Sequence, residues 1–190
     1  MPKTRLPKDQ VQAGAGPPRA EPAQWYILSV PRGGKEYNYF RPGTVLKRAQ
    51  FPAIRLSDDL ATAQVQAANL ARIAADPARA RLYALVGPLM KEARRRARTL
   101  EASFDLDDSD IFACLERQNG LCAVSGLRLA HDARGETRSP MSPVVEPIAT
   151  ARGYAPQNIW IVGALVSAAL RDWGLEALRE VAKGVVGAGE

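Results

Sequence analysis

The segment from Phe104 to Trp173 constrains the fold more than any other part of the chain, because it specifies an order of elements. A helical pattern ends at Asn119-Gly120, a pair that favours a turn. After a polar loop come two β-prone stretches, at 139–146 and 153–162, and then a second helical pattern. This order predicts a ββα unit, in which a helix follows a two-stranded hairpin.

Two stretches with fixed separations link this region to a known family. They are Gln-Asn-Gly-Leu-Cys-Ala-Val-Ser-Gly at 118–126 and Gly-Tyr-x-x-x-Asn-Ile at 153–159. Residues 91–184 resemble the HNH (His-Me finger) endonucleases, in particular the small phage type that lacks a zinc site. In that family the first strand carries an acidic metal ligand followed by the general base, and the helix supplies a second metal ligand.

The resemblance assigns these roles to four residues, and two of the four do not suit the chemistry. It places the first ligand at Glu146, the base at Pro147, the structural asparagine at Asn158 and the second ligand at Ser167. Proline has no proton to exchange, and serine is a poor metal ligand. Such hydrolysis needs both a base and a divalent ion. We therefore expect a finger that keeps its shape without its catalysis and needs no cofactor.

An active nuclease remains the alternative interpretation. It would use Mg²⁺ or Mn²⁺ held by Glu146 and Ser167, with His131, Glu146 and Asn158 as the candidate catalytic residues. His131 is the only histidine, and it could replace the missing base if its loop folded back onto the strand. We expect instead that this imidazole is exposed to solvent.

The charge of the chain favours an anionic partner. The 190 residues carry a net charge of +6 with a pI of about 9.6, which favours double-stranded DNA, although composition does not separate DNA from RNA. Cys114 and Cys122 have no companions at zinc-site spacing. No apolar run approaches the roughly 18 residues of a membrane span. We expect a cytoplasmic protein, at the bacterial nucleoid or in a phage-infected cell, with no membrane partner.

The first 75 residues predict a basic arm and a small sheet. Residues 1–24 are rich in proline and basic side chains, which favours a mobile arm. Residues 25–75 read as three antiparallel strands followed by an alanine-rich helix that starts near Ser57. This layout resembles the arm-type DNA-binding module of phage tyrosine integrases, which implies DNA contacts from Arg32, Lys35, Arg41, Lys47 and Arg48. Alternatively, Trp25, Ile27, Tyr37 and Tyr39 cover the helix behind the sheet.

Residues 76–102 predict linker helices with one strongly basic face. Pro77 suits a helix start, and Gly87-Pro88 predicts a kink or two shorter helices. Apolar side chains recur at helical spacing from Leu82 to Ala97, which predicts a buried stripe. The cations that follow the break are candidate DNA contacts: Lys91, Arg94, Arg95, Arg96 and Arg98.

The sequence therefore predicts an α+β fold: an N-terminal three-stranded antiparallel sheet with helices, then a basic helix and an HNH-like ββα domain over 103–184. Two closing helices meet at Gly174, and we expect the stripe of the second, Ala177, Leu178, Val181 and Ala182, to pack on the finger. Tyr154, Trp160 and Trp173 should be packing aromatics. Residues 185–190 should form a frayed tail.

Three functions fit this pattern. The first is a DNA-binding protein of phage or mobile-element type that regulates or occludes DNA through a catalytically degenerate finger. The second is an active metal-dependent endonuclease or nickase. The third is a protein-binding inhibitor or assembly module that uses the former nuclease surface.

Overall fold

The computed structural model describes residues 27–41, 54–130 and 139–188. The expected basic arm at 1–24, Lys47, Arg48 and His131 lie outside these ranges. Within them the chain is α+β, with an N-terminal three-stranded antiparallel sheet and a later two-stranded sheet, as predicted. No helix in these ranges is both long enough and apolar enough to cross a bilayer.

The N-terminal sheet is built on a two-residue hairpin. Strand β1 (Ile27–Arg32) pairs antiparallel with β2 (Lys35–Phe40), and β2 pairs with the short β3 (Ile54–Arg55). Gly33 and Gly34 form the turn with φ angles of 57° and 78°. Positive φ at both turn positions matches the twist of a hairpin and favours glycine.

Helix α1 (Leu60–Ala75) packs on this sheet. It begins after Asp59, close to the start expected near Ser57, and the Asp59 carboxylate caps it by accepting a hydrogen bond from the Thr62 N–H at 2.8 Å. Phe40 is fully buried in the same core as α1, and neighbouring β2 residues point to opposite faces. Phe40, rather than Tyr37 or Tyr39, therefore covers the helix.

The predicted helix start and break after α1 are also present. Asp76 ends α1 and begins α2 (Pro77–Ala84): its N–H donates to the Ile73 carbonyl at 3.3 Å, and its carboxylate accepts from the Ala78 N–H at 2.8 Å. Helix α3 (Val86–Thr99) follows after Leu85, so Pro88 lies in a first turn, where a missing N–H costs little.

The residues after α3 form the ββα unit with the helix that precedes it, and we call this region the finger. Helix α4 (Asp108–Arg117) starts in a capping box formed by Asp107 and Asp110. Strands β4 (Pro143–Pro147) and β5 (Ile159–Gly163) pair antiparallel, and α5 (Ala164–Asp172) and α6 (Gly174–Gly187) follow. The predicted order of a hairpin and a following helix is confirmed.

One continuous core joins the finger to α3. The predicted apolar stripe of α3 is buried, including Val86, Leu89 and Ala93, and it belongs to the same cluster as Ile111 of α4 and Ile161 of β5. Helix α3 packs against both α4 and β4. One face of the basic helix is therefore fixed by the finger, and this decides which of its cations remain in solvent.

The expected packing of the C-terminal helix is wrong. No side chain of α6 is buried, and Val181 is 64% exposed. Leu178 is the residue of this helix that packs, partly buried, against the core. Trp173 is 71% exposed and is not a packing aromatic, whereas Tyr154 is buried and Trp160 is half-buried as expected.

Candidate functional site

Three secondary-structure elements meet at the carboxylate of Glu146. Glu146 lies near the end of β4, and its side chain is only 13% exposed. Its Oε1 accepts hydrogen bonds from the Arg96 Nη1 of α3 and, at 2.5 Å, from the Ser167 Oγ of α5. The Arg96 Nη1 also lies 3.3 Å from the Ser167 Oγ. The two residues that the family resemblance assigns to metal binding are therefore neighbours, and a guanidinium lies against both of them.

Arg96 is held by a second carboxylate on its own helix. Its Nε donates to the Glu92 Oε1 at 3.1 Å, one helical turn away. The side chain is 16% exposed, which is low for an arginine. Arg96 is therefore an interior cation between Glu92 and Glu146, and the structure separates it from the exposed ridge with which the sequence grouped it.

Glu92 connects this interior cation to an exposed one. The Arg95 guanidinium binds the Glu92 carboxylate through two hydrogen bonds of 2.9 and 2.7 Å. The hydrogen bond from Arg95, and after it that from Arg96, lowers the pKa of Glu92 to about 2. Glu92 is consequently ionised throughout the neutral range and neutralises part of the charge of α3.

A divalent ion does not fit this arrangement. The Glu146 Oε1 accepts two hydrogen bonds, one from the Arg96 Nη1 and one from the Ser167 hydroxyl, whose proton points to that oxygen. A permanently charged guanidinium at the same point would repel a cation. Within the described ranges, no group of three or more histidine, cysteine or acidic residues could hold a metal. Pro147 follows Glu146 directly and supplies no base.

Asn158 fixes the loop between the two strands. It is buried, and its Nδ2 donates to the carbonyls of Ala149 at 2.9 Å and Gly153 at 2.7 Å, while its Oδ1 accepts from the Ala149 N–H at 3.1 Å. The structural role expected for Asn158 is confirmed, and the loop that it ties connects β4 to β5. With all three bonds directed at the backbone, its amide is committed to structure.

Gly153 allows this loop to reach the start of the finger. Its φ is 62°, and a Cβ at this position would lie 2.1 Å from the Ser103 Oγ. The next residue, Tyr154, exchanges backbone hydrogen bonds with Ser103 and Asp105 at 2.9 and 2.8 Å. Burial, and after it the negative charge of Glu146, raises the pKa of Tyr154 to about 12. Tyr154 is therefore a neutral phenol packed beside the ion-pair network.

The outer face of α3 carries the cations that remain in solvent. Lys91, Arg94, Arg95 and Arg98 are all exposed. Arg95 is paired with Glu92, and the Arg94 guanidinium lies over the Phe104 ring at 5.4 Å from its centroid. Among the residues that the structure describes, no carboxylate forms an ion pair with Lys91, Arg94 or Arg98. We call these three residues the outer ridge.

A shallow groove of about 450 Å³ adjoins the outer ridge. Arg94 and Arg98 form one side, Phe104 contributes an aromatic surface, and the carboxylates of Glu101 and Asp105 are also part of the lining. The groove places two cations beside an aromatic ring, and the two carboxylates in its lining offset the positive charge of the arginines.

The predicted cations of the N-terminal sheet are also exposed. Arg32 and Lys35 lie opposite each other at the hairpin turn, and Arg41 follows the end of β2. Arg55 of β3 lies over the Tyr37 ring at 4.6 Å from its centroid, so an additional cation belongs to this sheet. These residues form a second basic group, on a different element from the outer ridge.

Comparisons with protein-family models, with curated proteins and with solved structures found no match for this chain. The site must therefore be interpreted from its own residues. The sequence identified Glu146 and Ser167 as neighbours, but it did not indicate that Arg96 and Glu92 complete their cluster. Asn158 lies outside this cluster, in the loop between β4 and β5. Glu92 and Arg96 have the (i, i+4) spacing of a helical ion pair, and this was the available signal.

Proposed function

We propose that this chain is a DNA-binding protein of phage or mobile-element type, built on an HNH-like finger that no longer cuts, and that it regulates or occludes DNA. The observation that carries the proposal is the outer ridge: Lys91, Arg94 and Arg98 are exposed on one helix face without a described acidic partner. With a rise of about 1.5 Å per residue, they span roughly 10 Å, which suits a short run of backbone phosphates.

The Arg96 cluster supports a binding role over a catalytic one. A guanidinium can neutralise charge in the place of an ion, but it does not ionise a water molecule as a metal does. The hydroxyl of Ser167, which contacts Arg96, belongs to a residue that is only 2% exposed, so a phosphodiester in solvent cannot reach it. The cluster instead stabilises the junction of α3, β4 and α5, which holds the outer ridge in place.

A gel-shift titration with and without a divalent ion tests the proposal. Labelled duplex and supercoiled plasmid are incubated with the protein in Mg²⁺, in Mn²⁺ and in EDTA. We expect retardation that is the same in all three, and no nicking. If about six phosphates are neutralised, the affinity should fall by orders of magnitude between roughly 50 and 200 mM salt.

A charge-reversal pair locates the DNA surface. The variant R94E/R98E reverses two charges on the outer ridge, and R72E/R81E reverses two exposed charges on α1 and α2. Both variants change the net charge equally, so a difference between them reports position. We expect a loss of about a hundredfold or more for the first and a few-fold for the second. Equal losses would contradict the assignment of the outer ridge.

The same experiment separates the alternatives. Nicking that requires Mg²⁺ or Mn²⁺ and disappears in Glu146→Ala would favour the nuclease. Weak DNA affinity that is insensitive to salt would favour a protein-binding module, because phosphate contacts release counterions and protein contacts of this kind do not.

A further inference from the structure

The face of the N-terminal sheet that points away from α1 carries two tyrosines. Opposed residues of an antiparallel pair have their side chains on the same face, so the register separates the two faces. One face carries Phe40, which is buried in the same core as α1. The other carries three cross-strand pairs: Leu28 with Tyr39, Val30 with Tyr37, and Arg32 with Lys35. We call this second surface the tyrosine face.

The tyrosine face is positively charged. Arg32 and Lys35 are exposed, as is Arg41 after the end of β2. Among the residues that the structure describes, no carboxylate forms an ion pair with these three cations. Glu36, the acidic residue of β2, opposes Pro31 and lies on the other face. The charge of this surface therefore favours a polyanion as its ligand.

Arg55 adds a flat cationic group beside the tyrosines. It opposes Tyr39 in the register, and its guanidinium lies over the Tyr37 ring at 4.6 Å from the centroid. Its Nη2 donates to both oxygens of the Asp58 carboxylate, at 3.0 and 3.3 Å, so the guanidinium is held in place. Bases of nucleic acids stack on aromatic rings and on guanidinium planes. Tyr39 and the Tyr37–Arg55 pair therefore provide two candidate stacking positions.

The spacing of these two positions favours an unpaired strand. Side chains two residues apart on a β-strand are roughly 7 Å apart, whereas successive bases of duplex DNA are about 3.4 Å apart along each strand. Bases inside a duplex also have both of their faces covered by neighbouring bases. A strand must therefore be unpaired and extended for successive bases to reach both positions.

We propose that the tyrosine face binds single-stranded DNA, with one base on Tyr39 and a neighbouring base on the Tyr37–Arg55 pair. The phosphates of the strand lie near Arg32 and Lys35. The choice of DNA as the polymer rests on the proposed function, whereas the choice of an unpaired strand rests on the sheet itself. The tyrosine face is then a second nucleic-acid surface, separate from the outer ridge of α3.

Fluorescence anisotropy with three labelled probes tests the proposal: oligothymidylate, oligouridylate and a DNA duplex. The variant Y37V/Y39V keeps the β propensity of the strand but removes both rings, and the matched control Y37F/Y39F keeps the rings. We expect the valine variant to bind oligothymidylate roughly a hundredfold more weakly, at about tenfold for each stacked base. The phenylalanine variant should bind within about threefold of the unmodified chain, because its rings still stack.

The duplex probe separates this proposal from the proposed function. Y37V/Y39V should leave the duplex affinity unchanged, whereas R94E/R98E should weaken duplex binding and leave oligothymidylate binding largely intact. A chain that binds oligothymidylate through the two tyrosines but binds no duplex would support the tyrosine face and contradict the outer ridge. A chain that binds duplex but no oligothymidylate would overturn the tyrosine face and leave the outer ridge in place.

Three further results would overturn the proposal. Equal affinities of the valine and phenylalanine variants for oligothymidylate would show that the rings stack no bases. Equal losses of duplex and oligothymidylate binding in Y37V/Y39V would remove the preference for an unpaired strand. Tighter binding of oligouridylate than of oligothymidylate would make RNA the ligand.

Circular dichroism checks that each variant is folded. If the valine variant unfolds, ultraviolet cross-linking of oligothymidylate to the unmodified chain replaces it, followed by peptide mapping. Cross-links at Tyr37 or Tyr39 would support the proposal, and cross-links that lie only elsewhere in the chain would overturn it.

Discussion

Arg96 and Arg98 are two residues apart on α3, but their guanidinium groups have opposite surroundings. Arg96 lies on the inner side, where Glu92, Glu146 and Ser167 bind it. Arg98 lies on the outer side and has no described acidic partner. The difference shows that a run of like charges on a helix need not have one role. Here a cation that stabilises the fold is next to cations that are available to a ligand.

The largest expected effect comes from replacing the two arginines by methionine in turn. Arg96→Met leaves Glu146 and Ser167 without their cation in a poorly solvated place, which should lower the free energy of unfolding by about 3 kcal/mol. Arg98→Met should change it by less than about 0.5 kcal/mol. Urea unfolding of both variants measures the difference.

The double variant R96M/E146M provides the control for this prediction. It removes both charges together, so it should be more stable than Arg96→Met alone. If Arg96→Met and Arg98→Met are equally stable, the contacts of Arg96 on the inner side of α3 do not stabilise the fold, which would contradict the prediction.

Ser167→Ala tests how much the hydrogen bond from Ser167 to Glu146 stabilises the inner side of α3. The variant removes the 2.5 Å hydrogen bond to Glu146 while leaving the Arg96 ion pair in place. Loss of one hydrogen bond to a charged group should cost about 1.5 kcal/mol in urea unfolding. Ser109→Ala is a suitable comparison, because its hydroxyl bonds an exposed carboxylate, that of Asp107. A smaller cost for Ser167→Ala than for Ser109→Ala would contradict the importance of burial at Glu146.

Glu92→Gln tests the connection that Glu92 makes between Arg96 on the inner side of α3 and Arg95 on its outer side. The folded pKa of Glu92 is about 2 against an ordinary value of 4.5. A lowered pKa contributes stability that is present above the ordinary value and is lost as the pH falls towards 2. Because the side chain is about a third exposed, solvent limits this contribution to less than about 1 kcal/mol.

The glutamine variant should lose this contribution at neutral pH. Its free energy of unfolding should also change less between about pH 4.5 and 2 than that of the unmodified chain, which acid unfolding measures. It also frees Arg95 from its ion pair, so the DNA affinity should rise a few-fold in a gel shift. A steeper acid transition, or weaker DNA binding by a folded variant, would contradict the shared role of Glu92.

The smallest expected effect is that of a single outer charge. Arg98→Gln should reduce the slope of log affinity against log salt by about one, with little change in stability. Lys183→Gln, at an exposed cation of α6, should leave the slope unchanged. Equal slopes for Arg98→Gln and the unmodified chain would remove Arg98 from the outer ridge.

Local chemistry made much of the fold predictable. Asp59, Asp76 and Pro88 mark helix ends, since a capping carboxylate or a missing N–H acts within a few residues. The β-prone stretches at 139–146 and 153–162 predicted β4 and β5. The inward direction of Arg96 was not predictable in this way, because its partner Glu146 is 50 residues away. Position 96 borders the buried stripe of α3, so helical spacing allows its side chain to point either towards the core or into solvent.

The α6 prediction failed for a related reason. The spacing of apolar residues indicates which face of a helix is apolar, but it does not specify which element of the protein buries that face. Val181 was assigned to the finger, yet the strands of the finger are already covered by α3, α4 and α5. Val181 and Val185 of α6 are left on the surface. The roles of the candidate site residues in DNA binding stay predictions.

Asp76 closes α1 and opens α2 with no residue between them. A joint without spare residues has few free torsion angles, so it resists bending more than an ordinary linker does. Arg79, one turn later, links α2 to α4 through its 2.6 Å ion pair with Glu116. The hairpin module should therefore move with the finger as one body. Under the proposed DNA binding, a bend in the duplex would then be set by the rigid protein and not by a flexible linker.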